Sequence, residues 1–276
     1  MARVQSVGFQ VNEIMKELNG VGISKKKTRE EGDRIGANGM KTSHLIHSYK
    51  SLDNFRADLT NLAKFAKHEY GMKEVKQINA LIIRKWLNKK DISYRTASNY
   101  ISELSKASDY LNCSRKSLNA IREEMKEKLD KPKNITRSYK NLDKIKLKDP
   151  KSNIAFKLQR DYGLRVSATT NIPLNNLNNN ELTYKEKGGR VNSVTISPQL
   201  SNEIKELATD NIFKINNRNY YNYLKKEIEA TGQIFNGTHG VRHTFAQKKL
   251  EEGSTKQEVS NLMGHFREDV VNTYLR

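Results

Sequence analysis

Apolar positions recur along this 276-residue chain mainly at spacings of three and four, the period of helices that bury one face. Val11, Ile14, Met15 and Leu18 form a first short stripe that stops at Asn19-Gly20. A longer stripe carries Leu52, Phe55, Leu59, Leu62 and Ala66, with Gly71 placed to end it. Ile78, Leu81, Ile82 and Trp86 define a second face, and Ala97, Tyr100, Ile101, Leu104 and Leu111 a third. Short turns between these stripes predict a small helical bundle.

Beyond Pro150 the pattern mixes. A helix is predicted from about Ser152 to Tyr162, ended by Gly163. Leu182 and Tyr184 alternate with polar residues before Gly188-Gly189, as do Val194 and Ile196 after it, which predicts a β-hairpin. Ser197-Pro198 reads as cap and first turn of a helix bearing Leu200, Ile204 and Leu207. Tyr221, Leu224 and Ile228 share a helical face, and Thr238 can cap a segment running to Gly253. Thr255 and Glu258 make a capping box ahead of Val259 and Leu262. The expected fold class is mainly α with a small antiparallel β-sheet.

The length favours two domains plus an arm. The expected division is an N-terminal helix and basic arm over 1–45, a helical domain over 46–130, a basic linker over 131–150 and an α+β domain over 151–276. Lys25-Lys26-Lys27 and the glycines at 32, 36 and 39 mark the arm. Lys+Arg 50 against Asp+Glu 31 gives a formal charge of +19, which implies a polyanionic partner. Nucleic acid ranks ahead of a membrane, because no apolar run approaches the roughly 18 residues that span a bilayer. Lys89, Lys90 and Arg95 on the bundle and Lys131, Lys133, Arg137 and Lys140 in the linker are the candidate DNA contacts, although a solvated surface has the same composition. The single cysteine, Cys113, excludes an internal disulfide and fits a reducing compartment. No uninterrupted apolar stretch follows Met1-Ala2-Arg3, so a cytoplasmic protein, nucleoid-associated when on DNA, is expected.

His239-Gly240-Val241-Arg242, Leu262-Met263-Gly264-His265 and Tyr274 bring imidazoles, a guanidinium and a phenol into one basic segment. A phenol titrates near 10 in isolation, so as a nucleophile it needs cations that stabilise charge in the transition state. Cleaving a phosphodiester without a metal calls for cations on the nonbridging oxygens, and arginine forks match that geometry. Arg242 lies about one helical turn after His239, and Arg165 follows Gly163-Leu164. The residues alone leave other readings open. His239, His243 and His265 outline a zinc site, although Gly240 stands where a metalloprotease helix has glutamate. Tyr274 after Val270 and Val271 fits a core aromatic, and a lysine on a hairpin turn is ordinarily solvated.

Taken in order, Arg165 in Gly163-Leu164-Arg165-Val166-Ser167, Lys187 before Gly188-Gly189, His239-Gly240-Val241-Arg242-His243-Thr244-Phe245-Ala246, His265 and Tyr274 resemble the tyrosine recombinase (phage integrase) family. The resemblance covers Arg160 to Arg276, while the preceding bundle resembles the family's core-binding domain in pattern alone. It implies a two-domain C-shaped DNA clamp and a site-specific recombinase that cleaves and rejoins strands through a 3′-phosphotyrosine, with no ATP, metal or other cofactor. By the same resemblance Tyr274 is the nucleophile, Arg165 and Arg242 clamp the phosphate, and His265 donates to it. His239 accepts the phenolic proton and Lys187 protonates the departing oxygen. The implied partners are double-stranded DNA with a specific recombination site, four protomers on paired sites and accessory DNA-bending proteins. A type IB topoisomerase-like enzyme and an inert DNA-binding relative are the alternatives. Lys185, two positions from Lys187, competes with it, and His243 is read as packing. Ala168 stands where family members often carry an acid, so a contact to Arg165 is expected to be absent or replaced. Many relatives continue past the nucleophile into a helix that docks on a neighbouring protomer, whereas this sequence stops two residues after Tyr274.

Overall fold

Serine and asparagine side chains start the helices of the N-terminal half, each accepting a backbone N–H of the first turn. Ser6 caps α1 (Val7–Leu18), Ser24 α2 (Lys25–Glu30), Ser48 α3 (Tyr49–Tyr70), Asn79 α4 (Ala80–Asn88), Ser93 α5 (Tyr94–Leu104) and Ser114 α6 (Arg115–Lys128). A computed structural model of the chain describes residues 4–32, 34–35, 39, 41–129, 137–186, 190–265 and 268–274. It divides into two units, Met1–Lys133 and Asn134–Arg276.

In the first unit α1 contributes Val11, Ile14, Met15 and Leu18 to the core formed by α3, α4, α5 and α6. On α4 the inward residues are Ile82, Ile83, Trp86 and Leu87, whereas Leu81, expected inside, is half exposed. The stretch expected as an arm includes α2. Thr28 on α2 is buried and bonds Ser43 Oγ at 2.9 Å, which in turn lies 2.6 Å from His47 Nε2.

In the second unit Tyr139, Leu142, Ile145 and Leu147 are buried with Phe156, Tyr220, Leu224, Ile228 and Val241. The described part of the stretch expected as a linker is thus built into this unit. Lys144, Lys146 and Lys148 face out while the apolar residues between them face in. α7 (Pro150–Tyr162) ends at Gly163 with φ +65, and the short α8 (Val166–Thr169) follows. β1 (Asn171–Pro173) pairs antiparallel with β5 (Ile212–Lys214). β2 (Leu177–Asn178), β3 (Glu181–Lys185) and β4 (Val191–Thr195) form a second antiparallel sheet, with Leu182 opposite Val194. Four helices complete the unit: α9 (Pro198–Glu206), α10 (Asn217–Ala230), α11 (His239–Glu251) and α12 (Lys256–Leu262). On α10 the buried tyrosine is Tyr220, whose hydroxyl donates to Gln159 Oε1, and not Tyr221, which is exposed. Met263 takes the inward place expected for Leu262. Thr255 and Glu258 form the expected capping box, whereas Thr238 precedes α11 without a side-chain cap bond. The fold is mainly α with small antiparallel sheets. Among the described residues no helix is long and apolar enough to cross a membrane.

Candidate active site

Spacings of three and four residues put His239, Arg242 and His243 close together on the first turns of α11. The start of this helix is held against residues 137–139. Tyr139 donates its N–H to Thr244 Oγ1 at 2.7 Å, and that hydroxyl lies 3.1 Å from the Tyr139 carbonyl. The Tyr139 hydroxyl donates to the Gly237 carbonyl at 2.8 Å and accepts the Asn236 N–H at 2.7 Å. Gly240 permits this approach, since a Cβ there would meet the Arg137 carbonyl at 2.6 Å.

Arg242 is fully buried, with Nη1 donating to the Gly163 carbonyl and Nη2 to the Met263 carbonyl. Its guanidinium thus ties the end of α7 to the end of α12. Gly163 is left-handed, and a Cβ on it would run into the Phe245 ring, so α11 packs directly over the turn that launches Arg165. Arg165 caps α8; its Nη1 pairs with Glu186, and its Nη2 lies 3.3 Å from His265 Nε2. His265 follows Gly264 just past α12, anchored by its N–H to the Ser260 carbonyl at 2.7 Å. Its Nε2 also lies 3.2 Å from Arg242 Nη2 and 3.1 Å from the Tyr274 hydroxyl. A 3-10 turn over Glu268–Thr273 leads into Tyr274, which is buried with Phe245, Ala246, Val259, Met263 and Val271. The His243 and His239 rings flank the phenol at centroid distances of 4.7 and 5.7 Å. His243 is buried there, its ring packed on Tyr274.

Burial is the main force holding the His239 and His265 pKa values down at about 4. The next contributions come from His243, Arg242, Arg165 and Arg137 at His239, and from Arg242 and Arg165 at His265. Both imidazoles are therefore neutral near pH 7, each with one nitrogen to donate and one to accept. Burial also works against the charge on Arg242 and Arg165, yet guanidinium groups stay protonated in proteins. Five of the residues singled out in the sequence, Arg165, His239, Arg242, His265 and Tyr274, thus meet in one place. Lys187 lies outside the described residues. Among the described residues no three His, Cys, Asp or Glu side chains gather as a metal site.

Residues 130–276 match the profile of the phage integrase family. The chain belongs to the phage integrase family. No curated protein sequence matches it. Its structure is similar to that of the Tn1549 transposon integrase in complex with transposon right end DNA, with a TM-score of 0.60 at 12% identity over 97% of this chain and 95% of that one. It is similar to a lambda integrase dimer bound to a COC′ core site, with a TM-score of 0.60 at 16% identity over 83% and 89% of the two chains. The XerH site-specific recombinase bound to difH gives 0.60 at 15% identity over 97% and 90%. At these identities the likeness establishes the fold.

The cations of this phage integrase family chain are distributed unevenly over the positions expected to meet DNA. Arg95 is exposed on α5, while Lys89 pairs with Glu69 at 3.0 Å and Lys90 lies 4.6 Å over the Trp86 ring. Lys140 and Arg137 are exposed, and Arg137 is near enough to His239 and His243 to disfavour their protonation. Lys131 and Lys133 lie outside the described residues. Arg29, Arg34, Arg115 and Arg122, not singled out in the sequence, line with Lys25 and Lys106 part of a basic cavity of about 520 Å³ in the N-terminal unit. Lys106 donates to the Leu45 carbonyl at 2.6 Å, and burial with Lys25 and Arg34 pulls its pKa down to about 8. Arg115, Asn119 and Arg122, spaced four and three apart on α6, were a legible signal for it. Glu186 was missed as well, and nothing in its spacing from Arg165 points to the pair.

Proposed function

We propose that this chain is a site-specific DNA recombinase that cuts and rejoins strands through a 3′-phosphotyrosine. The observation that carries this reading is the Tyr274 hydroxyl 3.1 Å from His265 Nε2, itself within 3.2 and 3.3 Å of nitrogens of Arg242 and Arg165. A scissile phosphate beside that hydroxyl would meet two guanidinium groups and an imidazole N–H, the donors that offset charge growing on its nonbridging oxygens.

In the step proposed, Tyr274 Oη bonds to phosphorus and the bond from phosphorus to O5′ breaks. His239, kept neutral by its surroundings, takes the phenolic proton, and Lys187 gives a proton to the departing O5′. The products are a 3′-phosphotyrosine and a 5′-hydroxyl. One phosphate ester replaces another of similar energy, so the exchange needs no ATP, and a 5′-hydroxyl from a partner duplex reverses the chemistry into a new joint. We assign DNA binding to both units, the N-terminal one as core-binding domain and the C-terminal one as catalytic domain. The net charge of +19 and the cavity around Arg115 and Arg122 support this assignment, and the Tn1549, lambda and XerH structures are complexes with DNA. Exchange between two duplexes would engage four protomers, with accessory DNA-bending proteins as further partners, in the compartment that holds the DNA.

Nicked suicide substrates cut from the source genome test the proposal. The expected result is a covalent adduct at a defined phosphate and recombinant product from intact sites. Relaxation of a supercoiled plasmid without any such site would indicate a topoisomerase instead, and DNA binding without an adduct an inert relative.

A further inference from the structure

Arg165 has a carboxylate partner that its own helix does not supply. Ala168, within one turn of it on α8, offers only a buried methyl. The partner is Glu186, one residue beyond β3, whose side chain is 3% exposed and ion-paired with Arg165 Nη1. The Glu186 N–H donates to the Arg190 carbonyl at 2.7 Å, extending the β3–β4 pairing past Lys185 and Val191. On its other side, a Cβ placed on Gly264 would lie 2.9 Å from Glu186 Oε1, so the carboxylate sits against the turn that delivers His265.

A carboxylate this far from water is tolerated only beside a cation, and a guanidinium fixed through one nitrogen has the direction of its others fixed with it. Here the fixed nitrogen is Nη1, and Nη2 is thereby aimed at the space beside His265. We propose that Glu186 is the positioning residue for Arg165, doing from the hairpin what position 168 does not do from the helix. The proposal rests on the recombinase reading above, since it assigns Arg165 to the phosphate. The hairpin that is expected to present Lys187 would then also orient the phosphate clamp.

The test is the first-order rate constant of adduct formation at saturating suicide substrate, which does not depend on how much of the enzyme is folded. Glu186→Gln should lower it about 10- to 100-fold, the effect of a misplaced catalytic group, with little change in DNA affinity. Glu186→Asp, which keeps the charge, should recover part of the loss. In an Arg165→Ala background Glu186→Gln should leave the rate unchanged or raise it, because the carboxylate then only repels the phosphate. Equal slowing in both backgrounds, or no slowing in either, overturns the proposal. Absence of any adduct from the unaltered chain would instead overturn the recombinase reading itself.

Discussion

Replacing Gly240 with alanine sets two effects of opposite sign against each other. In an ordinary helix interior the change is favourable by about 1 kcal/mol, because glycine loses more backbone freedom on folding. Here the new methyl would lie 2.6 Å from the Arg137 carbonyl oxygen and against the Tyr139 ring. A backbone carbonyl cannot swing aside as a side-chain end does, so residues 137–139 must move off α11. That motion strains the Tyr139–Thr244 pair at 2.7 and 3.1 Å and the bonds of the Tyr139 hydroxyl at 2.8 and 2.7 Å. Overpacking costs about 1–3 kcal/mol. Two hydrogen bonds lost add about 2 kcal/mol. Set against the helix gain of about 1 kcal/mol, the net expectation is a loss of about 2–4 kcal/mol, or roughly 4–16 °C in Tm. Trp86, the one tryptophan, lies in the N-terminal unit, so its fluorescence reads that unit while far-UV circular dichroism reads both. The dichroism transition, which includes the unit that holds Gly240, should fall. Gly8→Ala is the control: nothing lies within 4 Å of its Cβ, and it should leave stability unchanged or raise it. A Gly240→Ala chain that melts at or above the unaltered temperature would refute the packing of 137–139 on α11.

With pKa values held at about 4, the His239 and His265 rings should show no NMR titration between pH 5.5 and 8. At pH 6.5 about 0.3% of each would be protonated, against half of an ordinary histidine. In the unfolded chain both take up protons near pH 6.5 but in the folded one only near 4, so they withdraw stability as pH falls through that window. An inflection near 6.5 for either ring would contradict the site's electrostatics. At the basic cavity, Arg115→Ala with Arg122→Ala should weaken DNA binding and make the log–log salt dependence shallower by about 0.9 per phosphate contact removed. An unchanged slope would take the cavity out of the DNA path.

The helices were legible because burial on one face repeats: Leu52, Phe55, Leu59, Leu62 and Ala66 all lie in the core along α3. Rotation was less legible where neighbouring residues are both apolar, so Ile83 replaced Leu81 inside α4 and Tyr220 replaced Tyr221 inside α10. The basic run from Lys144 to Lys148 has the composition of a linker, but Leu142, Ile145 and Leu147 between and before its charges settle where the segment packs. Around Thr28, Ser43 and His47 the fold is held by polar links, which carry no period and read as loop. At the candidate site the residue types announced phosphate chemistry, but spacing could not supply distances. The Glu186–Arg165 pair depends on where the strand pairing carries residue 186, and the Arg242 bonds to Gly163 and Met263 depend on three helix ends converging. Neither is encoded locally.

In the proposed reaction the oxygen of Tyr274 becomes bonded to a DNA 3′ end. Trapping the adduct on a suicide substrate, digesting protein and DNA, and sequencing the modified peptide by mass spectrometry identifies the residue that carries that bond. The expected result is a nucleotide 3′-phosphate on Tyr274 and no adduct from Tyr274→Phe. A nucleotide on another residue, or an undiminished adduct from folded Tyr274→Phe, would contradict it.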